Sequence, residues 1–565
     1  MEKTKIALFD LTGCEGCEFH LLSLNELLLD VFQDFEIVNW RLLTAEQQKD
    51  FDIAFIEGAA TTNKHIKLLK QVRKTSEIVI ALGACAITGN VFAEITPQQR
   101  EKLAAKIYDK DYKLKAKFLD PVKKYIKVDY EIPGCPPDIE KFKELLSEFK
   151  NKKITSPIKD ITPPDYVAKI EGHGSLKLNF QTRKVQFEVE ESERLVEGLV
   201  LGKDFTKAPF INSRICGICP VAHNLCSWKA IENSLGLKIS DEAVLLREIM
   251  MISQLVKSHL LHLFFLVLPD YAGVKSSMEL SVKYPAEFHL MLNIKRVAEK
   301  ALELVAGSTA FPINTTLAGF FNPPHIEDLL ALKETIYDIF DEAEDLINLF
   351  SNLQVPKLET KIKMFSIKPD NNKYPLYSGK MIKPLKEVIS TNSTAKLGVL
   401  PNGEVFKVGA MARMANYSAF LNVKALNYFQ KVSPKLENPF NNNIAQTIEI
   451  LHFLEELVKL IDVLGKKDLT KAKGIEKPKY TQKENRGEAY VEAPRGILYH
   501  QVVLDNKGAI LNYNIIPPTQ INLASLQQEA QNLVDVYSDF EPQILKLEVE
   551  KLIRAFDPCI TCAVH

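Results

Sequence analysis

The sequence predicts two dissimilar modules in one chain. A doubly wound α/β module spans 1–150, and a larger, mainly helical α+β module spans 167–565, with a linker at 151–166 between them. Three observations lead there. Short apolar runs alternate with amphipathic ones through the first 150 residues. A lysine- and proline-rich stretch then carries no apolar period that could be buried. Six of the nine cysteines form C-x-x-C pairs, four of those six in the second module. A length of 565 residues accommodates two large domains or several smaller ones.

In the first module, strands are expected at 5–10, 52–56, 77–82 and 125–130, and helices at 18–31, 64–74 and 137–150. Strands alternating with helices imply a parallel sheet, whose ligands sit beyond the carboxyl ends of the strands. All four cysteines of this half fall there. Cys14 and Cys17 follow the first strand, Cys85 follows the strand ending near Leu82, and Cys135 follows the last, inside Pro133-Gly134-Cys135-Pro136-Pro137.

The second module opens on a hairpin expected from 175–180 and 184–189. It then turns helical, with a nearly all-apolar helix at 242–268. A further helix at 446–464 is marked by Ile450, Leu454, Leu457, Ile461 and Leu464 at three- and four-residue spacing, with Gly465 as terminator. Runs at 498–504 and 509–515 flank Asp505-Asn506-Lys507-Gly508, a hairpin signal. The sequence contains no internal repeat and no low-complexity tract.

Composition narrows the function. Apolar residues at 46% and charged residues at 25% describe a folded globular chain. Its 71 basic and 72 acidic residues leave a net charge of −1, so there is no basic field to draw a phosphate backbone, and nucleic acid is not an expected partner. Ile6 to Phe9 is too short for the apolar region of a signal peptide, and a cytoplasmic location is expected. The most apolar run, 260–268, is about half a membrane span and carries His262, so it reads as a buried helix and no membrane span is expected.

Reduced thiols that cluster in a cytoplasmic chain bind metal or do redox chemistry. Cys216 and Cys219 lie in Arg214-Ile215-Cys216-Gly217-Ile218-Cys219-Pro220. Cys559 and Cys562 lie in Asp557-Pro558-Cys559-Ile560-Thr561-Cys562-Ala563-Val564-His565. Pairs so far apart can meet only through a large tertiary fold. Four thiolates then suit zinc, an iron-sulfur cluster or nickel; a structural zinc site and inert buried thiols stay open on this pattern alone.

These two motifs resemble those of the large subunit of nickel-iron hydrogenases. The amino-terminal half is similar to their short small subunits, through Thr12-Gly13-Cys14-Glu15-Gly16-Cys17-Glu18, Ile56-Glu57-Gly58-Ala59 and the Pro133–Pro137 segment. Further motifs agree: Ile170-Glu171-Gly172-His173, Arg194 to Glu197 with Gly202-Lys203-Asp204, Val408 to Arg413, and Val491 to Gly496. Together they cover nearly the whole chain, with both subunits fused into one polypeptide. The resemblance implies a flavodoxin-like small-subunit domain followed by a large-subunit domain.

It also implies roles. Cys216, Cys219, Cys559 and Cys562 would hold nickel, with Cys219 and Cys562 bridging to an iron that carries carbon monoxide and cyanide ligands. Cys559, bound to one metal only, would be the local base, because coordination lowers a thiol's pKa. Glu171 would accept its proton. Arg495, with Pro494, would wall the diatomic ligands, or itself act as base, supported by Asp557 and Arg413. Glu197 and His565 would carry a magnesium-like ion. His223 reads either as a neighbour of the bridging sulfur or as a core histidine, and Cys226 as a small buried hydrophobe.

Cys14, Cys17, Cys85 and Cys135 would hold one four-iron, four-sulfur cluster, the alternative being a redox disulfide at Cys14 and Cys17. With no cysteines left for further clusters, electrons would pass to an external acceptor or partner redox subunit docking near the small domain. Two departures from the family stand out. Ser258, in Ser258-His259-Leu260-Leu261-His262, takes the place of a carboxylate common among relatives. The sequence also ends at His565, where many relatives begin with a removable extension; either it is the matured form or it needs none. The expected activity is reversible heterolytic cleavage of H2. A hydrogen sensor with the same metals, or a coupling module like the hydrogenase-derived subunits of respiratory complex I, is the alternative. Assembly into a homo-oligomer stays open.

Overall fold

The computed structural model describes residues 3–45, 47–108, 112–150, 161, 163–370, 373–381, 383–390, 393–476 and 484–565. Most of the expected linker, 151–160 and 162, lies outside the described residues.

Five strands, β1 (Thr4–Asp10), β2 (Phe35–Asn39), β3 (Ile53–Glu57), β4 (Ile78–Leu82) and β5 (Tyr130–Ile132), form one sheet in the order β2-β1-β3-β4-β5. Every pairing in it is parallel. All five residues of β3 and of β4 are buried, as the continuous apolar runs of a sheet covered on both faces require. The helices between the strands are α1 (Gly16–Leu22), α2 (Glu26–Asp34), α3 (Asn63–Thr75), α4 (Gly83–Thr88) and α5 (Pro97–Ile107), and α6 (Ile139–Lys150) follows the last strand.

Three expectations shift. The single helix expected at 18–31 breaks into α1 and α2 at Asn25, whose φ of 54° no continuous helix accommodates. Strand β2 was not anticipated, because it follows α2 directly with no turn residue to mark it. The strand expected at 125–130 begins only at Tyr130, after a 3₁₀ turn at Val122–Lys124; pairing of Ile80 to Leu82 with Tyr130 to Ile132 selects the later register.

The remainder is largely helical. It opens on the expected hairpin, β6 (Gly174–Asn179) and β7 (Lys184–Val189). Its principal helices are α7 (Pro220–Ser234), α8 (Asp241–Leu261), α9 (Pro285–Ala306), α10 (Asn442–Leu464), α11 (Pro518–Val536) and α12 (Pro542–Ala555). Between α10 and α11 runs an antiparallel sheet of β8 (Glu484–Ala493), β9 (Gly496–Asp505) and β10 (Ile510–Ile516).

Helix α8 starts at Ser240, whose side chain caps the backbone N–H of Ala243. It runs into a π-helical stretch, His262–Val267, and a last α turn, Leu268–Ala272, instead of ending at 268 as one α-helix. The wider turn lets His262 meet Gln446 Oε1 at 2.6 Å and the Arg554 carbonyl at 2.7 Å. This is the one described helix apolar and long enough to cross a membrane, and 94% of its apolar window is buried inside the molecule.

The two parts meet backbone to backbone. Gly217, between the paired cysteines of the second part, donates its N–H to the carbonyl of Cys14 at 2.7 Å. Around it, Lys169 N–H donates to Arg41 O at 2.9 Å and Arg41 Nη1 to Ile170 O at 2.7 Å. His173 Nε2 lies 3.0 Å from Asp10 and Nδ1 2.9 Å from Glu191. A Cβ at Gly217 would sit 2.2 Å from Gly16 Cα and 2.5 Å from Gly16 N, backbone atoms that cannot swing aside. G217A is therefore expected to force the seam open and lower the melting temperature. G465A, at a glycine with φ −58° whose Cβ would meet nothing nearer than 3.5 Å, is the comparison, and equal melting of the two variants would contradict the contact.

Candidate metal centres

The four cysteines of the second part converge. Cys216 follows a short 3₁₀ turn in extended conformation, and Cys219 is the residue from which α7 starts, with Pro220 at its first position. Cys559 opens the final helical turn, Ile560–Ala563, which carries Cys562. That tail is seated by Glu171, whose carbonyl accepts from Ile560 N–H at 3.0 Å, and by α11, where Thr519 Oγ1 accepts from Cys559 N–H at 3.1 Å. Arg194 clasps both loops, donating to Arg214 O at 2.8 Å, Ile215 O at 2.6 Å and Thr561 O at 2.7 Å.

All four thiols are at most 2% exposed. Cys216 Sγ is 3.0 Å from Cys559 Sγ, and the donor atoms of Cys216, Cys219 and Cys559, and of Cys219, His223 and Cys562, lie within 4.8 Å of one another. Burial and then the hydrogen bond with Cys216 raise Cys559 and Cys562 well above a thiol's ordinary pKa, whereas Cys219 is raised first by its hydrogen bond with Cys216. Burial also acts against Cys216, but hydrogen bonds from the other three thiols and the Arg495 charge hold it well below. Four buried sulfur donors this close together are a soft ligand set, and it fits nickel.

Above the thiols, Arg495 donates from Nε to Asp557 O at 2.8 Å, from Nη2 to Asp557 Oδ1 at 2.7 Å, and from Nη1 to Ser258 Oγ at 3.1 Å. Ser258 thus supplies a neutral acceptor where a carboxylate was expected from the family. Arg413 supports the same wall from behind, through Ala493 O and Pro494 O, while paired to Glu449 at 2.7 Å and Glu492 at 3.1 Å. His223 Nε2 is 3.1 Å from Cys562 Sγ, so it neighbours one of the four converging sulfurs and is also a satisfied core group, its Nδ1 meeting His500 at 3.2 Å. Burial lowers its pKa to about 3 and keeps it neutral. Cys226 is fully buried in the apolar core, and its polar contacts among the described residues are the Ala489 and Leu498 carbonyls, as for a small hydrophobe. Arg554 serves structure, binding Ala168 O, Asp270 and Glu550.

Glu171 is fully buried and its backbone pairs with that of Cys559. Its carboxylate accepts from Thr561 N–H at 3.0 Å and from the Thr561 hydroxyl. Burial lifts it to about 8, with Cys216 adding to the rise. Behind it, Gly172 N–H donates to Glu15 Oε1 at 2.8 Å, and Arg41 bridges Glu15 to Asp10.

Glu197 and His565 also meet, His565 Nε2 lying 3.6 Å from Glu197 Oε1. The hard ion expected there fits less well. Lys396 Nζ stands 3.9 Å from Glu197 and 3.1 Å from Glu387, so an ammonium already supplies the charge Glu197 needs, and Ile515 N–H occupies Oε1 at 2.7 Å.

In the first part, Cys14, Cys17, Cys85 and Cys135 gather beyond the strand ends, Cys14 and Cys17 buried and the other two half-buried. None of them is in a disulfide, and no three of their sulfurs lie within 4.8 Å of one another. Four thiols from three loops gathered in one place fit an iron-sulfur cluster. Gly83 permits it: at φ 80°, its Cβ would fall 2.4 Å from Cys17 Sγ. Glu57 accepts from the N–H groups of Cys17 at 3.2 Å and Glu18 at 2.9 Å, and burial pushes its pKa to about 7.

Sequence alone assigned no role to Arg194, Glu15 or Arg41. The first two lie inside quoted motifs, and all three are buried charges at the seam, but nothing in their spacing reveals which carbonyls or carboxylates they meet.

Comparison with known proteins agrees with this arrangement. Residues 194–326 and 400–565 match the family model described as nickel-dependent hydrogenase, and residues 14–149 match that described as the 20 Kd subunit of NADH ubiquinone oxidoreductase. The alpha subunit of sulfhydrogenase 1 from Pyrococcus furiosus is 31% identical over 422 residues, covering 71% of this chain and 97% of that subunit. The alpha subunit of sulfhydrogenase 2 from the same organism is 29% identical over 412 residues, with 71% and 98% covered. Among solved structures, an NAD+-reducing [NiFe]-hydrogenase in its H2-reduced state shares the fold, with a TM-score of 0.65 at 23% identity, over 71% of this chain and 98% of that one. The chain belongs to the nickel-dependent hydrogenases, an oxidoreductase family, and carries a small-subunit-like part and a large-subunit part in one polypeptide.

Proposed function

We propose that this chain cleaves H2 reversibly into protons and electrons at a nickel-iron centre held by Cys216, Cys219, Cys559 and Cys562. The observation that carries this is the meeting of four buried sulfurs from opposite ends of the large part, under the Arg495 guanidinium and beside a buried carboxyl. Bound there, nickel with an iron bearing carbon monoxide and cyanide supplies the electron-rich, Lewis-acidic pair at which H2 is polarised and split.

The chain's own residues handle the rest. Cys559 Sγ holds the released proton, and the Glu171 carboxyl, whose two forms are close in free energy near neutral pH, takes it and passes it toward the domain seam. Arg495 and Asp557 fix a planar donor over the site, and the near-complete burial of the thiols keeps bulk water from them. Cys14, Cys17, Cys85 and Cys135 would hold one four-iron, four-sulfur cluster, which would supply the electron acceptor beside the contact of Gly217 with Cys14.

The strand order 2-1-3-4-5 supports reading 1–150 as a flavodoxin-like cluster domain, and 167–565 as the nickel-iron domain. Cys85 and Cys135, the half-buried edge, point to where an external acceptor or partner redox subunit docks. Nine cysteines with no disulfide among them accord with a cytoplasmic location. The second reading, a coupling module of the kind the match over 14–149 names, is disfavoured by the four converging thiols, which such a module has no use for. A hydrogen sensor would share them, and only turnover separates it. The test is hydrogen-dependent dye reduction together with infrared spectra. Metal-bound carbon monoxide and cyanide bands with steady turnover are expected; their absence, with zinc as the metal present, sinks the proposal.

A further inference from the structure

The loop after Cys85 holds a side chain that faces the cluster cysteines directly. Helix α4 ends at Gly89, with φ 80°, and Asn90 follows with φ 54°, a left-handed conformation that asparagine tolerates better than most residues. Two successive left-handed residues turn the chain back over the ends of β4 and β5. The Asn90 side chain lands between two thiols that the sheet brings together, its Nδ2 lying 3.5 Å from Cys135 Sγ and 3.7 Å from Cys85 Sγ.

The orientation of the amide is fixed by its other end. Oδ1 accepts from the N–H of Val91 at 2.8 Å, which leaves the NH2 group, with two hydrogens, toward the sulfurs. The Asn90 backbone N–H is bound separately, to Thr88 Oγ1 at 3.3 Å.

We propose that Asn90 sets the reduction potential of the cluster, acting as a positioning residue whose amide donates to two of its thiolate ligands. This rests on the reading that the four small-domain cysteines hold an iron-sulfur cluster. Hydrogen bonds to ligand sulfurs draw electron density from them and stabilise the more negative, reduced cluster, so they raise its potential. The two thiols concerned belong to the half-buried edge, where water also reaches, whereas Cys14 and Cys17 are buried and the Cys14 carbonyl is bound by Gly217 N–H. The amide thus acts on the side of the cluster from which electrons depart, and makes the cluster a better acceptor for electrons arriving from H2.

The backbone geometry provides clean variants. Glycine adopts φ near 54° without strain, so Asn90→Gly removes both donors and leaves the turn intact. Asn90→Asp keeps the shape and the acceptor for Val91 but, when ionised, offers no donor and adds a negative charge. The full-length, metal-loaded chain and both variants are titrated with a reductant at pH 8, following the reduced cluster by electron paramagnetic resonance, with iron and sulfide assayed in parallel. The midpoint is expected to move to more negative potential in N90G and further in N90D. An unchanged midpoint in either variant carrying a full complement of iron and sulfide overturns the role of Asn90. A wild-type chain without iron and sulfide overturns the cluster reading itself.

Discussion

Replacing Cys559 by serine is expected to abolish nickel retention and hydrogen-dependent dye reduction together, while the fold survives. The side chain is fully buried, 3.0 Å from Cys216 Sγ, and serine nearly matches its volume, so packing changes little. The chemistry changes completely. A coordinated thiol loses its proton readily, whereas a serine hydroxyl keeps it near neutral pH and offers a hard donor to a metal that favours soft ones. Nickel per chain by elemental analysis, dye reduction under H2 and the circular dichroism spectrum are the three measurements. Cys226→Ser is the control, since Cys226 is equally buried but its polar contacts among the described residues are the Ala489 and Leu498 carbonyls; it should keep its nickel. Nickel content and turnover retained in C559S would refute the assignment of the site.

Glu171→Gln is expected to separate proton movement from metal binding. Glutamine preserves the shape, and its carbonyl oxygen still accepts from Thr561 N–H, so nickel and iron contents stay at wild-type levels. An amide, however, neither takes up nor releases a proton near neutral pH. Exchange between H2 and heavy water, measured by mass spectrometry, should fall by about 10²–10⁴-fold, the range that a positioned acid or base contributes. Wild-type exchange in a fully loaded E171Q would remove Glu171 from the route. A loss of metal would show instead that its bonds to Thr561 matter for holding the tail.

The comparison of sequence with structure divides along physical lines. The meeting of Cys216 and Cys219 with Cys559 and Cys562 was legible because few residue types do their chemistry and because a C-x-x-C pair keeps its meaning in any fold. Strands β3 and β4 were legible because a strand covered on both faces must be apolar throughout. Strand β8 was not: Glu484, Arg486 and Glu488 alternate with small residues, and Gly487 is explained only by the close approach of α7, whose Ala230 carbonyl would lie 2.2 Å from a Cβ there. Nor could periodicity reveal the π turn at His262, which depends on Gln446 and Arg554 from distant helices. Resemblance to a family brought Glu171, Arg495, Asp557, Glu197 and His565 into view. It could not foresee that Lys396 reaches Glu197, or that Arg194 binds both cysteine loops at once. Such roles are properties of tertiary contact, and single residues carry no mark of them.

The bond from Gly217 to Cys14 has a consequence for how the protein behaves in dilute solution. Donor and acceptor belong to the same polypeptide, so the encounter between the large-subunit part and the small-subunit-like part is intramolecular, governed by the tether and not by protein concentration. Specific activity should therefore stay constant on dilution, and halves from different molecules should not exchange.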